Sequence, residues 1–433
     1  MQKNKWNQYK LKDLVNINAS SVSKHDNLSC ILYLDTGSVT AGKIKELLEV
    51  SYNNAPSRAK RKVKNSSIVY SMVRPNQLHY GLIKNPSKNM IVSTGFAVID
   101  CYEERANSKF IYYWLTQSCI TNFLQAIAEN STSAYPAIRP EDLENLDISL
   151  PPLDEQKRIA EVLGAFDDKI ELLQKQNKTL EDMAKALFKS WFVDFDVVRA
   201  KQKGLPKADI MREYHLTEEL YDLFPSSFAD SSLGPIPSGW ETSNLDSLCI
   251  RCQSGGTPST KHAEYWENAV IDWFSTKELQ DSFLLNSEKT ISEEGLNNSS
   301  AKLFPKGTII MAIYASPTVG RLGILTQEAT FNQAAVGFIP KEDKISREYL
   351  FLMLKHRRDD LNNLANGAAQ QNLSVGVVKA FNILIPNAAL NTVYKRIVSP
   401  LFNKMEFNVK QIQTLTELRD TLLPRLISGK IRV

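Results

Sequence analysis

IAEVLGAFDDKIELLQKQNKTLEDMAKALFKSW, running from Ile159 to Trp191, is the stretch that decides the architecture. Its apolar residues fall at Ile159, Leu163, Phe166, Ile170, Leu173, Leu180, Ala184, Leu187 and Trp191. The steps are four and three, with Asn177 in the one polar seat. This spacing holds for more than four heptads and predicts a long helix that pairs along a narrow seam. A second stretch repeats the pattern with Tyr394, Val398, Leu401, Met405, Asn408, Ile412, Leu415, Arg419, Leu422 and Leu426.

Two such helices in one chain, with a domain between them, predict an antiparallel pair. If facing residues have numbers summing to 585, every seam position meets a seam position. Asn177 then faces Asn408, Leu173 faces Ile412 and Trp191 faces Tyr394. A buried Asn costs least opposite another Asn, so this pair selects the register against a heptad slip. Arg419 falls opposite Phe166, where its guanidinium has to snorkel outward. Pro400 is expected to kink the second helix or delay its regular part. At ~1.5 Å per residue, ~30 paired residues make a strut of ~45 Å, longer than the ~34 Å of one DNA turn. Two reading heads on such a spacer suit a ligand that repeats along a line.

The rest of the chain repeats as well. Trp6, Leu11 and Leu14 are answered by Trp240, Leu245 and Leu248 at an offset of 234 residues. Ile138, Leu146, Ile148 and Pro151 are answered by Leu373, Phe381, Ile383 and Pro386 at an offset of 235. Between these, Ile68-Val69-Tyr70 matches Ile309-Ile310-Met311, Gly81-Leu82-Ile83 matches Gly323-Ile324-Leu325, and Gly95-Phe96 matches Gly337-Phe338. Ile68–Val73 and Thr308–Tyr314 read as buried strands. Lys109–Ala128 and Ser346–Leu364 read as helical. Each copy is therefore an α+β globular domain followed by a long helix, beginning near Leu153 and near Ala388.

Composition is that of a globular protein: 433 residues, 43% hydrophobic and 23% charged, with a net charge of +4. It excludes a collagen, a wholly disordered chain and a disulfide scaffold. No run approaches the ~18 apolar residues of a membrane span, and the N-terminus has no apolar signal core. Five scattered cysteines point to a reducing cytoplasm.

The sequence carries little catalytic equipment. It has no G-x-x-x-x-G-K-[ST] loop, no G-x-G-x-x-G, no nucleophile elbow and no H-E-x-x-H. The run Gly255-Gly256-Thr257-Pro258-Ser259-Thr260-Lys261 lacks a Gly before Lys, and Pro258 removes an amide that a phosphate cradle needs. Cys249 and Cys252 have zinc spacing but no second pair follows. His25, His79, His215, His262 and His356 are scattered, and Asp167-Asp168 do not share a helix face. A binding protein is favoured. An enzyme with an unrecognised site, or a coiled-coil adaptor with no DNA role, are the alternatives.

Candidate nucleic-acid contacts follow from residue chemistry. Arg58, Lys60, Arg61, Lys62 and Lys64 form the densest basic run, expected as an exposed loop that could neutralise phosphates. In the second copy Thr257, Ser259, Lys261, Arg321, Gln370, Gln371 and Asn372 are candidates. Amides can pair with adenine and arginine with guanine, while hydroxyls suit phosphates.

These residues resemble a known family, the specificity (S) subunit of type I restriction–modification systems, over nearly the whole chain. Pro151-Pro152-Leu153-Asp154-Glu155-Gln156-Lys157-Arg158-Ile159 resembles the family's PPLxEQxxI opening of the central helix, and Phe188–Phe195 looks like its close. Leu233–Trp240 is similar to the entry of the second recognition domain. Ser254–Thr260 with Tyr265, Trp266 and Trp273 resembles its SGGTPS…YW…W pattern. Asn387–Val393 departs from the family by lacking the Leu-x-Glu-Gln opening of the second helix.

The resemblance implies target recognition domains over 1–150 and 239–386. Conserved helices would span 151–203 and 387–433, with a linker over 204–238. Each domain would read one half of a bipartite sequence in double-stranded DNA. The coiled coil would set the gap and dock two methylation (M) subunits, and restriction (R) subunits would join. The S-adenosylmethionine, ATP and Mg²⁺ chemistry would sit in those partners, so this chain is expected to need no cofactor or metal of its own and to be no enzyme.

Overall fold

The computed structural model describes residues 6–45, 47–131, 135–314, 318–364 and 372–433. The chain divides into two compact units. One comprises the residues up to Glu171 together with Thr414–Val433, and the other comprises Leu172–Gln413. The long helices run from Leu153 to Phe192 and from Ala388 to Ile427, and each contributes residues to both units.

Within the first unit a four-stranded antiparallel sheet has the order Val15–Ile17, Phe96–Cys101, Ile68–Ser71, Tyr80–Leu82. In the second unit Cys249–Ser254, Ala335–Pro340, Ile309–Ala312 and Leu322–Leu325 follow the same order, extended by Ser282–Leu284. A second sheet also recurs. Met90–Ser93 lies parallel to Cys30–Leu34, which pairs with Leu48–Ser51. Thr330–Phe331 likewise lies parallel to Ile271–Phe274, which pairs with Lys289–Ile291. The pair Asn7–Lys10 with Asp147–Leu150 is answered by Glu241–Asn244 with Asn382–Ile385. The repeat read in the sequence is thus a repeat of sheet topology.

The ladder registers refine one match. Ile68 sits opposite Ile99, and Ile309 opposite Phe338, so Phe96–Cys101 corresponds to Ala335–Pro340. Gly95-Phe96 therefore does not answer Gly337-Phe338; the true partner lies three residues away. Strand apolarity alone cannot fix such a slip when both faces are buried.

Each predicted helical segment is two helices. Ser108–Leu115 and Ser118–Glu129 are separated at Thr116-Gln117, and Arg347–His356 and Arg358–Leu364 at Arg357. Asn107 and Ser346 cap the first helix of each pair through the Phe110 and Tyr349 amides. The 204–238 stretch is folded. Its helices Lys207–Glu213 and Glu218–Asp222 precede a hairpin of Phe228–Ser231 with Gly234–Pro237. Ile210, Phe224 and Ile236 from this stretch are buried in the core of the second unit.

No seam residue of either long helix is exposed. In the first unit Ile159, Leu163, Leu426 and Ile427 join one core with Leu11, Phe110 and Ile148. In the second, Ala184, Phe188 and Trp191 join Tyr394, Val398 and Phe402. Trp191 and Tyr394 have ring centroids 5.9 Å apart. The Asn408 side chain donates to Asn177 Oδ1 at 2.8 Å and to Gln176 Oε1 at 2.9 Å. The second helix is neither delayed nor interrupted at Pro400. Arg419 is held by two carboxylates: its Nη1 donates to Asp167 Oδ1 at 2.6 Å, where Tyr113 donates to the other oxygen, and its Nε and Nη2 donate to the exposed Asp420.

Candidate nucleic-acid interface

In the second unit the main sheet brings several candidate residues to one end. Cys249–Ser254 finishes there, opposite the start of Ala335–Pro340. Ile309–Ala312 finishes beside them, and Leu322–Leu325 begins there. Thr257, Ser259 and Lys261 follow the first of these strands, and Arg321 immediately precedes the last. Asn372 is joined to the same end, since the Leu373 amide donates to the Ile313 carbonyl at 2.8 Å. Gln370 and Gln371 lie outside the described residues.

The Gly-rich run has a packing reason. A Cβ on Gly255 would sit on the Phe331 carbonyl, and one on Gly256 on the Ser300 carbonyl. Only glycine lets the backbones approach this closely. Two indoles then hold the loop from beneath. Trp273 Nε1 donates to the Gly256 carbonyl at 2.9 Å, and Trp266 Nε1 donates to the Ser259 carbonyl at 3.3 Å. The two rings meet edge to face at 5.3 Å. With those two carbonyls tied down, Ser259 and Lys261 remain exposed.

Thr257 donates its hydroxyl to Gln333 Oε1. Gln333 is exposed and belongs to this end of the sheet, yet sequence reading did not single it out. The available signal was the amide pair Asn332-Gln333 in a turn between two apolar strands. Arg321 is half-buried, and its carbonyl accepts from the Ala312 amide at 2.9 Å. Among the described residues it makes no ion pair.

The basic run in the first unit is a loop only at its ends, since Arg58 lies in a turn and Lys64 follows the strand. Ala59–Lys62 is a strand on the edge of the second four-stranded sheet, antiparallel to Met90–Ser93. The alternation of Ala59 inward and Lys60 outward is what a half-buried strand requires. This splits the run. Lys62 is paired with Asp26, and that hydrogen bond, with the Ser23 amide, holds the Asp26 carboxyl down at about 2. Arg61 Nη1 donates to Ser21 Oγ at 3.4 Å. Arg58, Lys60 and Lys64 are exposed and have no ion pair among the described residues. Arg58 also accepts the Thr94 amide on its carbonyl at 2.8 Å.

No group of three or more His, Cys, Asp or Glu among the described residues could hold a metal ion. Cys249 and Cys252 are buried, and burial pushes each thiol up to about 12. Such thiols are poor nucleophiles and poor ligands at neutral pH. No helix among the described residues is long and apolar enough to cross a membrane.

A family model described as "Type I restriction modification DNA specificity domain" matches residues 3–182 and again residues 237–417. Among curated relatives, the type I restriction enzyme HindI specificity subunit of Haemophilus influenzae is 30% identical. That match covers 98% of this chain and 99% of the relative. The type I restriction enzyme MjaIX specificity subunit of Methanocaldococcus jannaschii is 28% identical over 82% of this chain and 75% of its own length. A solved S subunit of a type I restriction–modification system from M. genitalium is similar in fold. Its TM-score is 0.57 at 16% identity, covering 98% of this chain and 97% of that one.

Proposed function

We propose a function on the premise that this chain belongs to the type I restriction modification DNA specificity family. It is a specificity subunit, a DNA-recognition component without catalysis of its own. Each of its two recognition domains, over 1–150 and 239–386, reads one half of a bipartite sequence in double-stranded DNA. The paired helices set the unread gap and dock two methylation subunits, and restriction subunits complete the endonuclease. The mechanism is positional: the two heads decide which base each methylation subunit can flip out and modify. The assembly works in the cytoplasm, where the cell's DNA lies.

The observation that carries this reading is the repeated sheet topology with unlike side chains at the reading ends. One domain offers Arg58 and Lys60, and the other Thr257, Gln333 and Arg321. Like scaffolds with unlike tips suit two different half-sites. Docking of methylation subunits is supported by apolar side chains on the outer faces of the helices. Leu172 and Met183 are 58% and 54% exposed and lie about three turns apart on one face, and Phe407 is 52% exposed.

The test is single-molecule methylation sequencing of DNA from cells expressing the chain with and without its methylation subunit. A split motif methylated on both strands, present only with both proteins, is expected. Exchange of residues 239–386 for another recognition domain should change one half alone. Methylation by this chain without a partner would overturn the non-catalytic role.

A further inference from the structure

We propose that Arg74, whose guanidinium lies over the Tyr135 ring, is the base-reading arginine of the first recognition domain and takes a guanine in its half-site. The inference rests on the recognition reading above and deepens it.

The two sheets share an order, so their ends can be compared position by position. Met72 follows Ile68–Ser71, and Ile313 follows Ile309–Ala312. Each carbonyl accepts the same kind of bond: the Ile138 amide donates to Met72 at 2.8 Å, and the Leu373 amide to Ile313 at 2.8 Å. Ile138 and Leu373 are also repeat partners at the offset of 235. The segment just before Ile138 is therefore the counterpart of the segment that brings Asn372 to the reading end. In the first unit that segment carries Tyr135, 62% exposed, with Arg74 Cζ 5.2 Å from its ring centroid.

Arg74 is prepared for contact rather than for stability. It is exposed, and among the described residues it has no carboxylate partner. Its backbone has φ 49°, in the left-handed region that a residue with a Cβ seldom adopts, and Leu78 on the far side of the turn has φ 56°. Strain of this kind concentrates at functional sites. The turn is also held rigidly. The Arg74 amide donates to the Pro136 carbonyl at 2.9 Å, Val73 bridges Ala137, and the Asn76 amide donates to Gln125 Oε1 at 3.1 Å.

The chemistry selects the ligand. A guanidinium presents a planar fork that matches guanine O6 and N7 together, the commonest specific contact in a major groove. Contact with an aromatic face restrains the guanidinium before binding, and lysine has no planar fork to restrain. Arg58 lies on the same end through the Thr94 amide, and the Met72 amide donates to Gly95 next along the chain. Arg58 is placed to meet a phosphate while Arg74 reads a base.

The test uses the full chain expressed with its methylation subunit, reading the methylated motif for wild type, Arg74→Ala, Arg74→Lys and Tyr135→Ala. Both Arg74 variants should relax one G·C position by about tenfold or more. Tyr135→Ala should loosen the same position less. The other half-site should stay intact, which controls for folding. If Arg74→Ala abolishes all methylation, Arg74→Lys decides: full discrimination with lysine means that this position needs a positive charge and not the planar fork, and overturns the proposal. Relaxation in the half that follows exchange of residues 239–386 also overturns it. A wild type with no split motif would instead sink the recognition reading itself.

Discussion

Asn408, fully buried, donates its side-chain amide to Asn177 across 2.8 Å. Asn177 in turn donates to the Met405 carbonyl at 3.3 Å. A polar pair inside an apolar seam costs stability against Leu–Leu but penalises every register that separates its members.

Asn177→Leu alone removes one of the two acceptors of the buried Asn408 amide, leaving Gln176, and should cost about 1 kcal/mol. The double variant Asn177→Leu/Asn408→Leu should be more stable than either single one. Urea unfolding analysed as a double-mutant cycle measures the coupling. Strict additivity would mean the two amides do not act as a pair.

Stability of the second unit should fall in acid. Burial pushes Glu181 and Asp281 up, but Glu181 is outweighed by Lys185 and Lys355, and Asp281 by Arg358 and the Leu322 amide. Both carboxyls therefore lie below their ordinary values. A depressed pKa stabilises the fold at pH values above the unfolded value of about 4, and that stability is lost as pH falls through the folded value. Lys355→Met should cost about 1 kcal/mol at pH 7, since the pair is partly exposed. It should also shrink the difference in melting temperature between pH 7 and pH 3. A variant with the full acid drop would show that Lys355 plays no part.

Trp273→Phe removes the donor to the Gly256 carbonyl and should cost about 1–3 kcal/mol. It should blur the half-site read by the second domain and leave the other half unchanged. Gly256→Ala, whose Cβ would meet the Ser300 carbonyl, should lower the melting temperature further. Thermal melts alongside motif sequencing separate the two effects.

Lys60 and Lys62 are two residues apart on one strand, yet only Lys60 is without an ion pair among the described residues. Lys60→Ala should reduce the slope of log affinity against log salt by about one for the assembled complex on target DNA. Lys62→Ala should leave that slope near its wild-type value, because Asp26 already neutralises the charge. Equal losses for both would mean that the Asp26 pair opens on binding.

Much of the architecture was legible because it rests on period and repetition. A heptad seam is a property of spacing along one helix, so both long helices could be read with their starts at Leu153 and Ala388. Strand existence was legible too, but the slip at Gly95-Phe96 was not. Buried strands are apolar on both faces and lose the alternation that fixes register. The middle of the basic run was misread as a loop because charge density signals solvent, whereas an edge strand can send every second side chain outward.

What the sequence determined by itself was therefore the family, the duplicated plan and the helical seam, each set by local spacing or by a motif of neighbouring residues. Only the tertiary structure decided which residues share one end of each sheet. Thr257 and Gln333, or Arg74 and Tyr135, are far apart in the chain. They meet because sheet pairing brings strand ends together, and that closeness is a sum of many non-local hydrogen bonds that no short window of sequence contains.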